Sequence, residues 1–384
     1  MTKIDKALEI LASRRRALGI AGGAAVSAAA IAGAHKVLSQ PAATPASART
    51  TPPSPGQAAT FGPIPYGASV SSDDLPKDLD YQRALIRYCQ QVVPEYGLKW
   101  SSIRPASGKF DWGPADSVID FAKANRLGVR GHTLVWYEAM PDWAKRISSA
   151  AEAERELVTH IETVVGRYRG IIKSWDVVNE PLGEKATNAS QLRQSVWSSL
   201  LGERYLEIAF RTAARVDPDC QLVLNEYGIE TTIPQDRGKR QAFRDLIRRL
   251  KDKGVPIHGI GIQSHINADR TIDTEGLAWL VGEITSMRMA TLITELDMID
   301  NKLPGPVEIR DALTAAKTYE LLDTITRVTR PSAIITWGIT DKRTWVPMWN
   351  KRDDGRPNRP LPFDADYRPK PMWNVIEYFS RGRA

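Results

Sequence analysis

The chain has 384 residues, of which 42% are hydrophobic and 25% charged, proportions that exclude a disordered polymer, a collagen and a coiled coil. Its net charge of +7 misleads: in the first 58 residues Lys3, Lys6, Arg14, Arg15, Arg16, Lys36 and Arg49 stand against only Asp5 and Glu9, which leaves +2 for the remainder. No basic run is interleaved with aromatics, so no nucleic-acid partner is expected, and two cysteines, Cys89 and Cys220, are too few for a disulfide scaffold or a Cys-rich zinc site.

The two cysteines read either as one bridge or as separate thiols packed as small hydrophobes. At the N-terminus, Ser13-Arg14-Arg15-Arg16-Ala17-Leu18 resembles the twin-arginine export motif, with Ala17 where Phe is common. An uncharged stretch of mostly small residues follows, Leu18 to Ala34, and closes on Ala32-Gly33-Ala34, an A-x-A-like cleavage site. It falls short of the roughly 20 strongly apolar residues of a stable membrane span. Residues 1–34 are therefore expected to be a signal peptide, the alternative being an uncleaved anchor, and the protein to be periplasmic or secreted. Residues 35–60, rich in Pro, Ala, Ser and Thr, read as a linker.

From residue 61 one pattern repeats: a short apolar run ending in polar or aromatic residues, then a longer amphipathic segment. Eight such runs lie near Ile64–Val70, Gln91–Trp100, Gly128–Tyr137, Ile172–Glu180, Gln221–Tyr227, Gly259–His265, Thr291–Asp297 and Ala333–Thr340. Continuous apolar runs fit strands covered on both faces, as in parallel sheets. Helical stripes lie between them: Leu157, Ile161, Val164, Val165 and Tyr168 form one, and Phe243, Leu246, Ile247 and Leu250 another. Gly170 and Gly254 stand where left-handed C-caps would end two of the helices. Eight strand–helix units predict an α/β fold, a single (β/α)8 TIM barrel over residues 61–384. Those 324 residues exceed the roughly 250 typical of the fold, which leaves room for long loops and shows no second domain boundary.

Such a barrel builds its site at the C-terminal ends of its strands. Standing there are Glu95, Lys99 and Trp100; His132, Trp136 and Tyr137; Asn179 and Glu180; Asn225, Glu226 and Tyr227; Gln263 and His265; Glu295 and Asp297; and Trp337 and Asp341. A ring of salt bridges closing the mouth is one reading. The set, however, holds carboxylates with few cations nearby, and unpaired charge is costly in a core. Glu180, in Trp175-Asp176-Val177-Val178-Asn179-Glu180-Pro181, ends the fourth run, and Glu295, in Ile293-Thr294-Glu295-Leu296-Asp297, ends the seventh. They can face each other across the mouth. Two facing carboxyl groups cleave glycosidic bonds: one donates a proton to the leaving oxygen, and the other attacks the anomeric carbon or, across a wider gap, activates water. Asn179 can donate to a sugar 2-hydroxyl, and His265 can orient Glu295. Trp100, Trp136, Trp337 and Trp345 offer flat faces to sugar rings.

These stretches resemble glycoside hydrolase family 10, the retaining endo-β-1,4-xylanases, over essentially all of residues 61–384. The resemblance rests on Leu98-Lys99-Trp100, Gly131-His132-Thr133-Leu134-Val135-Trp136, Trp175 to Pro181, Gly261-Ile262-Gln263-Ser264-His265, Ile293 to Asp297, Thr336-Trp337-Gly338, and the tail Phe363-Asp364 to Pro369-Lys370-Pro371. It implies Glu180 as acid/base and Glu295 as nucleophile. It also implies that His132, Trp136, Asn179, Gln263, His265 and Trp337 surround the sugar at the cleavage point, with Glu95 and Lys99 holding the next sugar outward. Tyr137, Tyr227 and Trp345 join the expected substrate-binding set.

Departures from the family pattern are Tyr96 for Asn, Tyr137 for His, Ala139 for Gln, and Asn225-Glu226-Tyr227-Gly228 for Asn-Asp-Tyr-Asn. Exchanging hydrogen-bonding groups changes which hydroxyls are satisfied, so an exported or self-made polysaccharide stands beside plain xylan as a substrate. A glycan-binding barrel without catalysis is a rival that would keep the tryptophans and lose the glutamates. A metal-dependent barrel hydrolase is another. Of the five histidines, His35, His132, His160, His258 and His265, none forms a His-x-His or His-Glu-x-x-His motif, and His160 and His258 read as structural. No cofactor or metal is called for; the expected partner is a polysaccharide and the expected state a monomer.

Overall fold

The computed structural model describes residues 62–382. The expected signal peptide, residues 1–34, and linker, residues 35–60, lie outside the described residues. Eight parallel strands close on themselves: β1 (Tyr66–Val70), β2 (Gln91–Pro94), β3 (Gly128–Val135), β4 (Ile172–Asn179), β5 (Gln221–Glu226), β6 (Gly259–Ile262), β8 (Ala290–Ile299) and β9 (Ile334–Thr336). β9 returns to pair with β1, and β6 pairs directly with β8. The short β7 (His265–Asn267) adds only to the outer end of β8. This is the expected (β/α)8 barrel, with each predicted run supplying one stave.

Around it run α1 (Leu79–Tyr88), α2 (Trp100–Ile103), α3 (Gly113–Ala124), α4 (Asp142–Lys145), α5 (Ala150–Arg167), α6 (Val196–Leu201), α7 (Arg204–Val216), α8 (Pro234–Asp252), α9 (Thr274–Ser286), α10 (Val307–Thr326), α11 (Val346–Trp349) and α12 (Pro371–Ser380). Local chemistry sets their ends. The Asp78 carboxylate takes the N–H groups of Asp80 and Tyr81 at the start of α1, and the Ser149 hydroxyl takes that of Glu152 at the start of α5, satisfying donors that have no partner inside the helix. Gly170 and Gly254 follow α5 and α8 with φ of 76° and 66°, a backbone state glycine enters without the Cβ penalty.

The predicted stripes of α5 and α8 are buried against the strands. Inside the ring a smaller apolar cluster of Val93, Val223, Leu292, Ala333 and Ile335 is topped by Trp337; this plug is the floor beneath the site. Cys89 and Cys220 are both buried and free. Of the two readings the sequence allowed, separate packed thiols is the one found, and burial pushes the Cys220 thiol up to about 12. Among the described residues no helix is long and apolar enough to cross a membrane.

Candidate active site

The end of β4 turns sharply. Glu180 has a φ of 54°, a left-handed conformation that costs a non-glycine residue of order 1–3 kcal/mol and persists where surrounding structure enforces it. Its backbone N–H is pinned to the Asn225 carbonyl at 2.8 Å, and Pro181 follows. The turn brings Glu180 Oε1 under two amides, Asn179 Nδ2 and Gln263 Nε2, each at 3.1 Å. Glu295 needs no such turn, because it lies within β8 with its backbone N–H on the Gln263 carbonyl at 3.0 Å. Asn225 Nδ2 donates to Glu295 Oε1 at 2.6 Å, and His265 Nε2 faces Oε2 at 3.3 Å.

One amide array joins the two carboxyl groups. Asn179 Oδ1 accepts from Asn225 Nδ2 at 2.8 Å and Gln263 Nε2 at 3.0 Å. Asn225 Oδ1 in turn accepts from the Thr294 hydroxyl at 2.7 Å. The ionised Glu295 can only accept, which fixes Nδ2 as the Asn225 atom that faces it; Asn179 must then present Oδ1 to that Nδ2, and Gln263 must present Nε2 to the same oxygen.

The two carboxyl groups sit in opposite fields. Burial, with the charge of Glu226 next in weight, raises Glu180 to about 6, against a pull downward from the Gln263 hydrogen bond. Burial would raise Glu295 as well, but the charge of His132 and the hydrogen bond and charge of His265 hold it below the usual carboxylate range. His265 resists its own desolvation because Asp297 and Glu295 raise it to about 10. It is an imidazolium, donating Nδ1–H to Asp297 Oδ2 at 2.9 Å and Nε2–H to Glu295. Trp345 Nε1 donates to the same Asp297 oxygen at 2.8 Å. His132 Nδ1 lies 2.9 Å from Asp176 Oδ2. Against its burial, Asp176 is kept below the usual range by the clasping Arg130 and by His132. The ionised carboxylate can only accept, so the proton is on Nδ1.

Aromatic walls complete the mouth. Trp337 meets the His132 ring edge-on at 5.0 Å. The buried Lys99 ammonium lies 4.4 Å from the Tyr96 ring, 4.8 Å from Trp136 and 5.5 Å from Trp337. Burial lowers Lys99, although Glu295, Glu95 and Glu180 pull it back up, and burial raises Glu95 beside it. Near Glu180, the Arg193 guanidinium covers the Tyr137 ring at 4.5 Å and donates Nη2–H to the Tyr227 hydroxyl at 2.9 Å. Burial, partly offset by Arg193, takes that hydroxyl to about 12. Beneath it Glu226 pairs with Lys239 at 2.8 Å, both side chains buried. The salt-bridge reading of the rim thus holds for Glu226, for Asp341 with Lys370 at 2.8 Å, and for Asp297 and Glu295 through His265, and not for Glu180.

Trp100 is not brought to the mouth. After β2 the chain turns into the single-turn helix α2, which points Trp100 back into the core. There its ring stacks on His160 at 3.9 Å and its N–H donates to the Leu134 carbonyl at 2.7 Å. Its expected sugar-binding role is withdrawn for that reason. The other predicted residues, Glu95, Lys99, His132, Trp136, Tyr137, Asn179, Tyr227, Gln263, His265, Trp337 and Trp345 with the two glutamates, gather at one end of the barrel. Sequence reasoning placed Asn225 and Asp297 at the mouth without a role, and left out Asp176, Arg193 and Lys239. The signal for Asp176 was present as a lone charge inside the apolar run Trp175 to Val178.

Glu230 was also passed over. It is buried, and its two oxygens accept the backbone N–H groups of Ser264 at 2.9 Å and Ile229 at 2.7 Å. Burial and the nearby Asp236 raise it to about 7. It thereby fastens Ser264, whose φ is 65°, between Gln263 and His265. Among the described residues no group of His, Cys, Asp and Glu could hold a metal ion.

The profile of Glycosyl hydrolase family 10 matches residues 57–378. The chain is similar to endo-1,4-beta-xylanase 3 of Hypocrea jecorina, 37% identical over 286 residues that span 74% of each protein. It is also similar to the beta-1,4-xylanase of Dictyoglomus thermophilum, 34% identical over 331 residues, 81% of this chain and 87% of that one. Among solved structures, xylanase 10B from Thermotoga petrophila in complex with xylobiose resembles it with a TM-score of 0.74 at 31% identity, covering 83% of this chain and 94% of that one.

Proposed function

The chain belongs to glycosyl hydrolase family 10, and from that premise we propose that it is a retaining endo-1,4-β-xylanase with Glu180 as acid/base and Glu295 as nucleophile. The observation that carries the roles is the opposite displacement of two carboxyl groups in one hydrogen-bonded array, Glu180 raised to about 6 and Glu295 lowered. Separated proton affinities assign an acid and an ionised partner.

In the first step Glu295 attacks the anomeric carbon and a glycosyl-enzyme ester forms. The glycosidic bond breaks as Glu180 passes its proton to the leaving oxygen. In the second step Glu180, now ionised, takes a proton from water; the water oxygen attacks the same carbon and Glu295 leaves as a carboxylate. His265 keeps Glu295 ionised at neutral pH. The Asn179 amide, held by its oxygen, presents Nδ2 beside Glu180 where a sugar 2-hydroxyl can receive a bond that strengthens as positive charge develops. Lys99 and Glu95 suit the hydroxyls of the next sugar, and Trp136, Trp337 and Trp345 its faces.

A second reading, hydrolysis of an exported or self-made β-glycan, is favoured by one observation. Tyr96, 55% exposed, lies over Lys99 at 4.4 Å where the family has Asn, so the hydroxyl-binding pattern beside Lys99 differs. For the leader we infer twin-arginine export, supported by Arg14, Arg15 and Arg16 ahead of an uncharged stretch.

The test is proton NMR of xylan digests by the purified protein. Products that appear first in the β-configuration, with internal cuts giving short oligomers, support the reading; α-products or no hydrolysis contradict it.

A further inference from the structure

We propose that Trp345, Met348 and Trp349 form one sugar-binding strip that carries the glycan out of the cleft beyond its central subsites, so that the protein grips a longer stretch of xylan than the rim residues reach. The inference rests on the xylan-cleaving reading above.

Met348 and Trp349 are 70% and 76% exposed, the most exposed large hydrophobics among the described residues. Trp345 already has helical backbone angles, φ −73° and ψ −19°, and α11 follows it directly. Residues three and four positions apart on a helix share a face, so Trp345, Met348 and Trp349 line one side of this turn while Val346 is buried on another. The orientation of that side is set by Trp345, whose N–H holds Asp297 and whose ring meets the His265 ring at 5.1 Å. The face that Trp345 turns toward the cleft is continued outward by the other two.

The segment is braced. The Asn350 N–H closes on the Val346 carbonyl at 2.8 Å. Asn358 Nδ2 donates to the Asn350 carbonyl at 3.1 Å and to Asp300 Oδ1 at 3.2 Å. Arg352 Nη2 donates to the Leu303 carbonyl at 3.0 Å, and Arg310 Nη2 to the Pro357 carbonyl at 2.6 Å. An indole held open to water on a braced turn forgoes about 25 cal/mol per Å² of apolar surface and gives the fold nothing in return. A flat indole suits the C–H face of a pyranose, and a flexible thioether beside it adapts to the next ring. Lys351, Asp353, Asp354 and Arg356 alongside are mixed in sign, which suits a neutral polymer.

Trp349→Ala, Trp349→Phe and Met348→Ala, compared with the parent on a xylooligosaccharide series from three to eight sugars and on an aryl xylobioside, test the strip. The expected result is a fall in kcat/KM of roughly three- to tenfold for the longest oligomers in Trp349→Ala, carried by KM. The aryl xylobioside rate should be unchanged, the fall smaller in Met348→Ala, and most activity retained in Trp349→Phe. Equal effects at every length, or none at any length, overturn the strip while leaving the xylanase reading intact. A parent that cleaves none of the substrates overturns both.

Discussion

Asn225 Nδ2 donates to Oε1 of Glu295 at 2.6 Å, the shortest polar contact that Glu295 makes. The same amide reaches Asn179 Oδ1 at 2.8 Å, so one side chain from β5 sets both the ionised carboxylate on β8 and the amide beside Glu180 on β4. Hydrogen bonds to charged groups contribute about 1.5–3 kcal/mol. Asn225→Ala should therefore cost roughly 10- to 150-fold in kcat/KM, and it should raise the acid limb of the pH profile because the Glu295 carboxylate loses a donor. A folded variant with an unshifted acid limb would assign Asn225 a purely structural part.

The pH profile follows from the two fields. Glu180 must be protonated in the free enzyme, so kcat/KM should fall as pH rises through about 6. Glu295 must be ionised, and it is held below the usual carboxylate range, so the acid limb should lie below that of an ordinary glutamate. Glu180→Ala should cost about 10²- to 10⁴-fold on xylan and far less on an aryl glycoside whose leaving group needs no proton. Initial rates across pH for both substrates check this.

Glu180 is also a stability liability. Its folded value of about 6 lies above the unfolded value of roughly 4.3. The protonated form is therefore the favoured one in the fold, and that stability is fully present below the unfolded value and lost as pH rises through 6. Glu180→Gln should be more stable than the parent by up to about 2 kcal/mol at neutral pH, with the gap closing below pH ~4.3. Denaturant unfolding at several pH values reads this directly.

Glu230 touches no expected sugar, yet it holds Ser264 between two residues that bond the catalytic pair. Glu230→Ala leaves two buried backbone N–H groups without acceptors, at about 1–3 kcal/mol each. Thermal unfolding should show the loss. Because Gln263 and His265 shift together, kcat should fall more than KM rises. An equal change in both would mean that the bonds act only on the fold.

Much of this molecule is legible in its residues, for a physical reason. Parallel strands buried on both faces hold few polar residues in their middles, the paired Arg130 and Asp176 being an exception, so the eight apolar runs stand out, and the carboxylates and aromatics at their ends mark the mouth. What escapes is long-range and directional. The sixth run looks continuous to His265, but the left-handed Ser264 ends β6 at Ile262, and nothing in a Ser announces a positive φ. Trp100 reads like the other rim tryptophans because a one-turn helix that reverses a side chain leaves no periodicity to detect. Asn225 and Glu295 are 70 positions apart, and their bond exists only once the ring has closed.

The most direct measurement of the central claim is mass spectrometry of the protein after reaction with an aryl 2-deoxy-2-fluoro-β-xylobioside, whose fluorine slows the second step and traps the glycosyl-enzyme. The account predicts one fluoroxylobiosyl group per chain, on the peptide carrying Glu295 and on that residue, with activity lost in proportion. Labelling of another residue, or full turnover of xylan with no covalent species formed, would contradict it.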